Sequence, residues 1–380
     1  KDTNTYFAYQ ALTINKLNAK ASGEAAALWG EFVSKYPDHP NAADALLAQS
    51  SILTAQAKEM GAYANLDTTG QTQWADILRN AIAAAEKLVS QYPESPNVSQ
   101  GLSLILEVKK LLAGAGVEKV EGIAPYFEGL AEQFSAVPAA RSRVLFLLAA
   151  YVQSNDPERA LALMKEAYNP DLVYNADNLD IYGLALIEQG DLDTATALYT
   201  KIANDYPNPD GMDPKSADRK IQEAQAISLF GLGTVAEKKG DAATAGANFE
   251  KLKANYPWSS KIREADFGIA ISLRAAGKLD DALTILRTIP RDPNATPLLK
   301  GRSVLLIGHI YKDKNDAAAA LDNFKKINII YSLAEEPAAE GLWQAAQIYK
   351  SQGLTKEHDD AIAILKSKYP NSKWATQADA

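Results

Sequence analysis

The chain contains no cysteine, so it can form no disulfide, no thiolate nucleophile and no cysteine-ligated metal site. That absence permits an oxidising compartment without requiring one. Histidine is scarce: His39, His309 and His358 are the full set, and none stands at metal-ligand spacing from another. No HExxH-type helix occurs either. Long apolar runs are missing, since the longest, Val144 to Val152, is far shorter than the ~20 residues of a bilayer-spanning helix. Positive charge is also in deficit, with 39 Lys and Arg against 47 Asp and Glu. A general nucleic-acid binder needs dense cations to neutralise phosphates, so no nucleic-acid partner is expected.

What is present is alanine, tyrosine and a repeated helical pattern. In 226–257, Leu229, Leu232, Gly233 and Ala236 fall at i, i+3, i+4 and i+7, the spacing of one helical face. Gly240-Asp241 breaks that helix; Ala245, Phe249 and Leu252 open a second face before Tyr256-Pro257 ends it. The same frame fits 176–207, with Leu179, Tyr182, Gly183 and Leu186, the turn Gly190-Asp191, then Ala195, Tyr199 and Ile202. It fits again from Arg141, with the turn Asn155-Asp156, and from Gly301, with the turn Asn315-Asp316. Further copies start near Tyr6, Arg263 and Ala339. Two stretches depart from the frame, the long spacer at 60–73 and the turn AGAG at 113–116.

Each position has a physical task. Gly183, Gly233, Ala270, Gly308 and Ala346 let the first helix approach its partner, and Ala195, Ala245, Ala282, Ala320 and Ala361 do so from the second. Gly or Asn at the turn supplies a left-handed residue, and the following Asp can cap the next helix. Proline after tyrosine stops the unit. A hairpin this short cannot bury its faces alone and must stack on its neighbours. The expected fold is all-α, a right-handed α-solenoid of about nine hairpins. The approximate repeats are 6–39, 40–95, 96–138, 139–172, 173–210, 217–260, 261–296, 297–334 and 335–374, forming one continuous array over 1–380.

This pattern resembles the tetratricopeptide repeat over nearly the whole chain, most specifically at 176–207 and 226–257. The unit tails YPDHPNAADA (36–45), YPESPNVSQG (92–101), YPWSSKIREA (256–265) and YPNSKWATQA (369–378) are similar to those of bacterial envelope proteins. Those include outer-membrane assembly lipoproteins and periplasmic cell-division coordinators; a turn common to many bacterial repeats explains the tails equally well. Ser95, Ser259 and Ser372 are placed to cap the following helix. The resemblance implies a non-enzymatic scaffold that offers a groove to a peptide or protein, in the periplasm or at the cell envelope. The start at Lys1 rather than methionine suggests a removed signal peptide or lipid-bearing segment.

Chemistry-bearing motifs are few, and no catalytic residue, metal ligand or cofactor is assigned. Gly231-Leu-Gly233 imitates a dinucleotide fingerprint, but that motif must follow a strand, and both glycines fall within a repeat helix. The loop at 208–218 is rich in oxygen ligands, including Asp210, Asp213 and Asp218, yet lacks the spacing of the usual calcium loop. Asn97-Val-Ser and Asn294-Ala-Thr fit glycosylation acceptors only formally.

First helices line the concave surface of tetratricopeptide solenoids, so their residues off the packing stripe are the candidate partner contacts. These are Phe267, Ile271 and Arg274; Arg302, Leu305, His309 and Lys312; and Trp343, Gln347 and Lys350. Aromatic and Arg side chains dominate interface energetics, and the cations suit a carboxylate-bearing peptide. Asp177, Asp180 and Glu188 make the middle of the same face acidic. The plainer alternative is that Lys and Arg solvate a helix face and Trp343 fills a gap between repeats. The Lys-Asn-Asn-Lys-Arg set of carboxylate-clamp repeats does not occur at these positions. A second function is a self-associating structural subunit or homo-oligomer, favoured if Trp374 in the last segment is exposed rather than folded back.

Overall fold

The computed structural model describes residues 3–209 and 211–378. Among the described residues there is no strand, and eighteen α-helices form nine hairpins, followed by one short helix. In the first unit these are α1 (Thr3–Asn18) with α2 (Ser22–Lys35), α3 (Ala42–Glu59) with α4 (Thr68–Gln91), α5 (Val98–Gly114) with α6 (Ile123–Gln133), and α7 (Pro138–Val152) with α8 (Pro157–Ala167). The second unit begins at Tyr174. It comprises α9 (Ala176–Gln189) with α10 (Leu192–Asp205), α11 (Arg219–Lys238) with α12 (Ala242–Asn255), and α13 (Ile262–Ala275) with α14 (Leu279–Leu286). Then follow α15 (Pro297–Asp313) with α16 (Ala317–Ile330), α17 (Glu335–Ser351) with α18 (Thr355–Lys368), and α19 (Lys373–Gln377). Within each unit helices pack on their sequence neighbours, and first helices also touch one another: α3 on α5 and α5 on α7 in the first, α9, α11, α13, α15 and α17 in succession in the second. Each unit is an α-solenoid.

The hairpin turns follow the expected chemistry. Gly190 and Gly240 adopt φ of 83° and 81°, and Asn315 replaces them at φ 58°. The next residue caps the second helix: Asp191, Asp241 and Asp316 accept the amides of Thr194, Thr244 and Ala319 at 3.2, 3.0 and 2.9 Å. Asp156 does the same for Arg159 at 3.0 Å, although Asn155 before it is not left-handed.

At two junctions of the second unit, what joins one repeat to the next is an aromatic ring between two glycines. Tyr199 of α10 is fully buried. Its ring lies so close to Gly183 of α9 and Gly231 of α11 that a Cβ there would sit 2.6 and 2.1 Å from ring carbons. Phe249 of α12 repeats the arrangement between Gly233 of α11 and Gly268 of α13, at 2.6 and 2.4 Å. Phe324 of α16 lies on Gly308 of α15, while Gly341 of α17 accommodates the Phe324 carbonyl. In the first unit Leu88 of α4 occupies the space left by Gly101 of α5. The two glycines of the false dinucleotide motif therefore serve opposite neighbours: Gly231 receives the preceding repeat's ring and Gly233 its own.

The Tyr-Pro tails form one recurring turn. The amides of His39, Ser95, Ser259 and Ser372 donate to the carbonyls of Tyr36, Tyr92, Tyr256 and Tyr369. Ser372 caps α19 as expected, accepting from Ala375 at 3.1 Å. Ser95 and Ser259 instead accept from Asn97 and Lys261 two residues on, because the chain makes a further turn before helix geometry begins. His39 does the same job with Nδ1, which accepts the Asn41 amide at 3.1 Å. The tyrosine hydroxyls reach back to the preceding tail: Tyr92 donates to the Pro37 carbonyl at 2.6 Å, Tyr206 to Tyr174 at 2.7 Å and Tyr369 to Ser332 at 3.0 Å.

Gly231→Ala is expected to destabilise the chain by about 1–3 kcal/mol, the usual penalty for overpacking, because the Tyr199 ring has no free volume to enter. Gly129→Ala in α6, where a Cβ meets nothing, is expected to be neutral or stabilising by up to about 1 kcal/mol from helix propensity. Urea midpoints of the two variants check this; a Gly231→Ala midpoint at the wild-type value would refute the wedge.

Candidate partner-binding face

The candidate residues lie on three first helices that touch in sequence, α13, α15 and α17. Helical geometry puts Arg302, Leu305, His309 and Lys312 on one side of α15 and Val304, Ile307 and Tyr311 on the other. The helix α15 is bonded to its neighbours from both directions. Toward α13, Arg274 forks onto Asp313, with Nε to Oδ2 at 2.6 Å and Nη2 to Oδ1 at 3.2 Å. Toward α17, His309 Nε2 meets Glu340 Oε1 at 2.8 Å and Lys312 Nζ donates to Gln344 Oε1 at 2.7 Å. These bonds align the three helices; Asp313 balances the charge of Arg274, whereas the neutral amide of Gln344 leaves that of Lys312 in place.

The remaining candidates occupy different environments. Phe267 is buried in the core with Ala270, Leu283 and Leu306, so it is a floor and not a contact. The exposed Arg302 guanidinium lies over that ring, 4.7 Å from its centroid. Arg302 also faces Glu237 of α11, whose carboxyl is raised above its ordinary range by burial despite the nearby cation. Gln347 is half-buried and Lys350 exposed, and among the described residues Lys350 makes no ion pair. Trp343 is half-buried and stacks on Trp374 of α19, centroids 6.3 Å apart. Trp374 is thus folded back onto α17, and its exposure no longer argues for self-association.

The acidic set does not stay together. Asp177 and Glu188 are exposed, whereas Asp180 is buried at 4% exposure. It accepts the Tyr199 hydroxyl at 3.0 Å and pairs with Lys261. Glu237, Asp313, Glu340 and Gln344, the groups these side chains meet, were not legible in the sequence. Each lies on another repeat from the group it meets, and only the register between repeats would have revealed it.

Elsewhere the singled-out groups are structural. In the loop at 208–218, Asp213 and Asp218 cap the turns beginning at Pro214 and Arg219, accepting from Lys215 and Lys220 at 3.0 and 2.8 Å. Asp210 lies outside the described residues. His358 bonds its neighbour Asp359 at 2.9 Å. No helix is long and apolar enough to cross a membrane among the described residues.

Two family models match the chain. The outer membrane lipoprotein family matches residues 9–178, nearly the whole first unit. The tetratricopeptide repeat matches 177–209 and 228–258, the α9–α10 and α11–α12 hairpins. No curated protein matches. Among solved structures, the chain is similar to the APC/C hetero-tetramer Cut9–Hcn1, with 11% identity, a TM-score of 0.50, and coverage of 96% of this chain and 74% of that one. That likeness is of fold alone. The quorum sensor NprR from B. thuringiensis gives 11% identity and a TM-score of 0.46, covering 96% of this chain and 99% of that one. A tetratricopeptide repeat protein from Parabacteroides merdae gives 13% identity and a TM-score of 0.35, covering 89% and 99%.

The Arg274 hydrogen bond holds the Asp313 carboxyl below its ordinary range. A depressed folded-state value contributes stability above the unfolded value of about 3.9 and loses it as pH falls through the folded value. Arg274→Gln is expected to be less stable than wild type at neutral pH by roughly 0.2–1 kcal/mol, as for a partly exposed pair. The gap should shrink as pH drops below about 4. Urea unfolding across that range tests it, and a pH-independent gap would show that the pair is not its source.

Proposed function

We propose that the chain is a tetratricopeptide-repeat protein of the bacterial envelope type that works as a non-enzymatic scaffold presenting the α13–α15–α17 face to a protein segment. The observation that carries this reading is the set of bonds from Arg274 to Asp313, His309 to Glu340 and Lys312 to Gln344. They fix three first helices in one layer before any partner arrives, and pre-organisation lowers the ordering cost of binding. Arg302, Gln347 and Lys350 remain as contacts, with Trp343 beside them and Phe267 beneath. A helical or extended segment laid across the layer would meet all three helices, a recurrent mode of peptide recognition. Carboxylates on that segment suit Arg302 and Lys350. The match of residues 9–178 to outer membrane lipoproteins supports a place in an envelope complex.

The test is capture from bacterial envelope extract on immobilised wild-type protein and on an Arg302→Glu/Gln347→Ala/Lys350→Glu variant with unchanged helical circular dichroism. Trp343 is left intact because it packs on Trp374. A protein retained by wild type and lost from the variant is the expected result. Identical capture by both forms would remove this face from consideration.

A further inference from the structure

The opposite side of α15 borders a recess of about 480 Å3 that the proposed face does not use. Its walls come from the end of α14, the 3-10 turn Ile289–Arg291, α15 and α16. Three cations ring it, Arg287, Arg291 and Lys326, and no carboxylate lines it. In a chain of net charge −8, such a local excess needs an explanation. Arg287 donates to the Tyr311 hydroxyl at 2.6 Å, which fixes its guanidinium at the wall without neutralising it. Asp292, beside Arg291, is engaged by Arg263 at 2.6 Å. Asp322, one turn before Lys326, makes no ion pair with it among the described residues. The floor is apolar, from Val304 and Ile307.

Next to this recess the hairpin ends in exposed aliphatic side chains. Ile329, Ile330 and Leu333 are 78%, 55% and 90% exposed. The antiparallel pairing brings the start of α15 to the same end, since a Cβ on Gly301 would touch Ala334 and Tyr331. Leu298, 51% exposed, lies one turn before Gly301. Charge and hydrophobicity therefore adjoin: a cationic recess with an apolar floor, and an aliphatic lip.

We propose that this recess is a second docking site, taking an acidic protein segment that places a carboxylate among Arg287, Arg291 and Lys326 and aliphatic side chains against Ile329, Ile330 and Leu333. Charge complementarity selects the carboxylate, and the unpaired guanidinium of Arg291 can accept it through two parallel hydrogen bonds. An anionic bilayer fits worse. Glu335 and Glu336 are exposed immediately beyond Leu333, and they would repel a flat negative surface that a single segment can avoid. The site lies on the far side of α15 from the α13–α15–α17 face, so it stands or falls independently of that face.

The experiment pans a random-sequence peptide library displayed on phage against the wild-type chain. Enriched peptides are then titrated by fluorescence anisotropy against three proteins: wild type, Arg291→Glu/Lys326→Glu, and Arg302→Glu/Lys350→Glu. Both altered pairs are exposed side chains, and unchanged circular dichroism confirms folding. Enriched peptides should combine Asp or Glu with Leu, Ile or Val. They should bind the Arg302→Glu/Lys350→Glu protein as they bind wild type and bind the Arg291→Glu/Lys326→Glu protein about ten-fold more weakly or worse, as charge reversal at a complementary site demands. Replacing their acids with amides should weaken them similarly. The proposal is overturned if no enriched peptide is lost on Arg291→Glu/Lys326→Glu, or if those lost lack acids. It is likewise overturned if only phosphatidylglycerol vesicles bind in a manner dependent on Arg291 and Lys326.

Discussion

The second unit depends on a steric constraint at its first two junctions: a ring on one second helix fills space that two glycines leave open. Tyr199 and Phe249 each touch a glycine on their own first helix and another on the next. One side chain thus closes a hairpin and joins it to its successor, so cohesion within a repeat and between repeats is not separable there. Nearest-neighbour coupling of this kind is what makes short hairpins, unstable alone, into a persistent array. Polar bonds then set fine position. Arg274, His309 and Lys312 tie α15 to its neighbours and fix the layer of first helices.

Much of this fold was legible in the sequence, and the reasons are local. The i, i+3, i+4, i+7 apolar spacing announces a helix, the Gly-Asp and Asn-Asp pairs announce a turn and its cap, and Tyr-Pro announces an end. Each signal spans a few residues and needs no knowledge of tertiary contacts. Gly183, Gly233 and Gly308 were recognisable as close-approach positions for the same reason. Gly231 and Gly268 were not, because the rings they receive belong to the preceding repeat. His39 was also opaque: only the superposed tails show that its imidazole takes the role of a serine hydroxyl.

The candidate face was legible as a set of helix positions but not as a charge distribution. Arg274 meets an acid 39 residues away, His309 one 31 residues away, and Lys312 an amide 32 residues away. Those separations are one repeat plus an offset set by how first helices stagger, and a single repeat carries no record of that stagger. Burial was similarly hidden. Phe267 and Asp180 share helix faces with exposed residues, yet both are covered, one by its own hydrophobic cluster and one by Tyr199 and Lys261.

The tyrosine hydroxyls that reach back to Pro37, Tyr174 and Ser332 have a mechanical consequence. Each is a single hydrogen bond, net worth about 0.5–1.5 kcal/mol, at the tip of a packed ring: Tyr369 belongs to the buried core of the last repeats and Tyr92 lies against that of the first. The packed rings resist separation steeply, whereas these outer bonds yield early and re-form easily. Each tail junction therefore behaves as a stiff pivot with a soft tether, so small flexing between adjacent repeats costs little while their separation costs much.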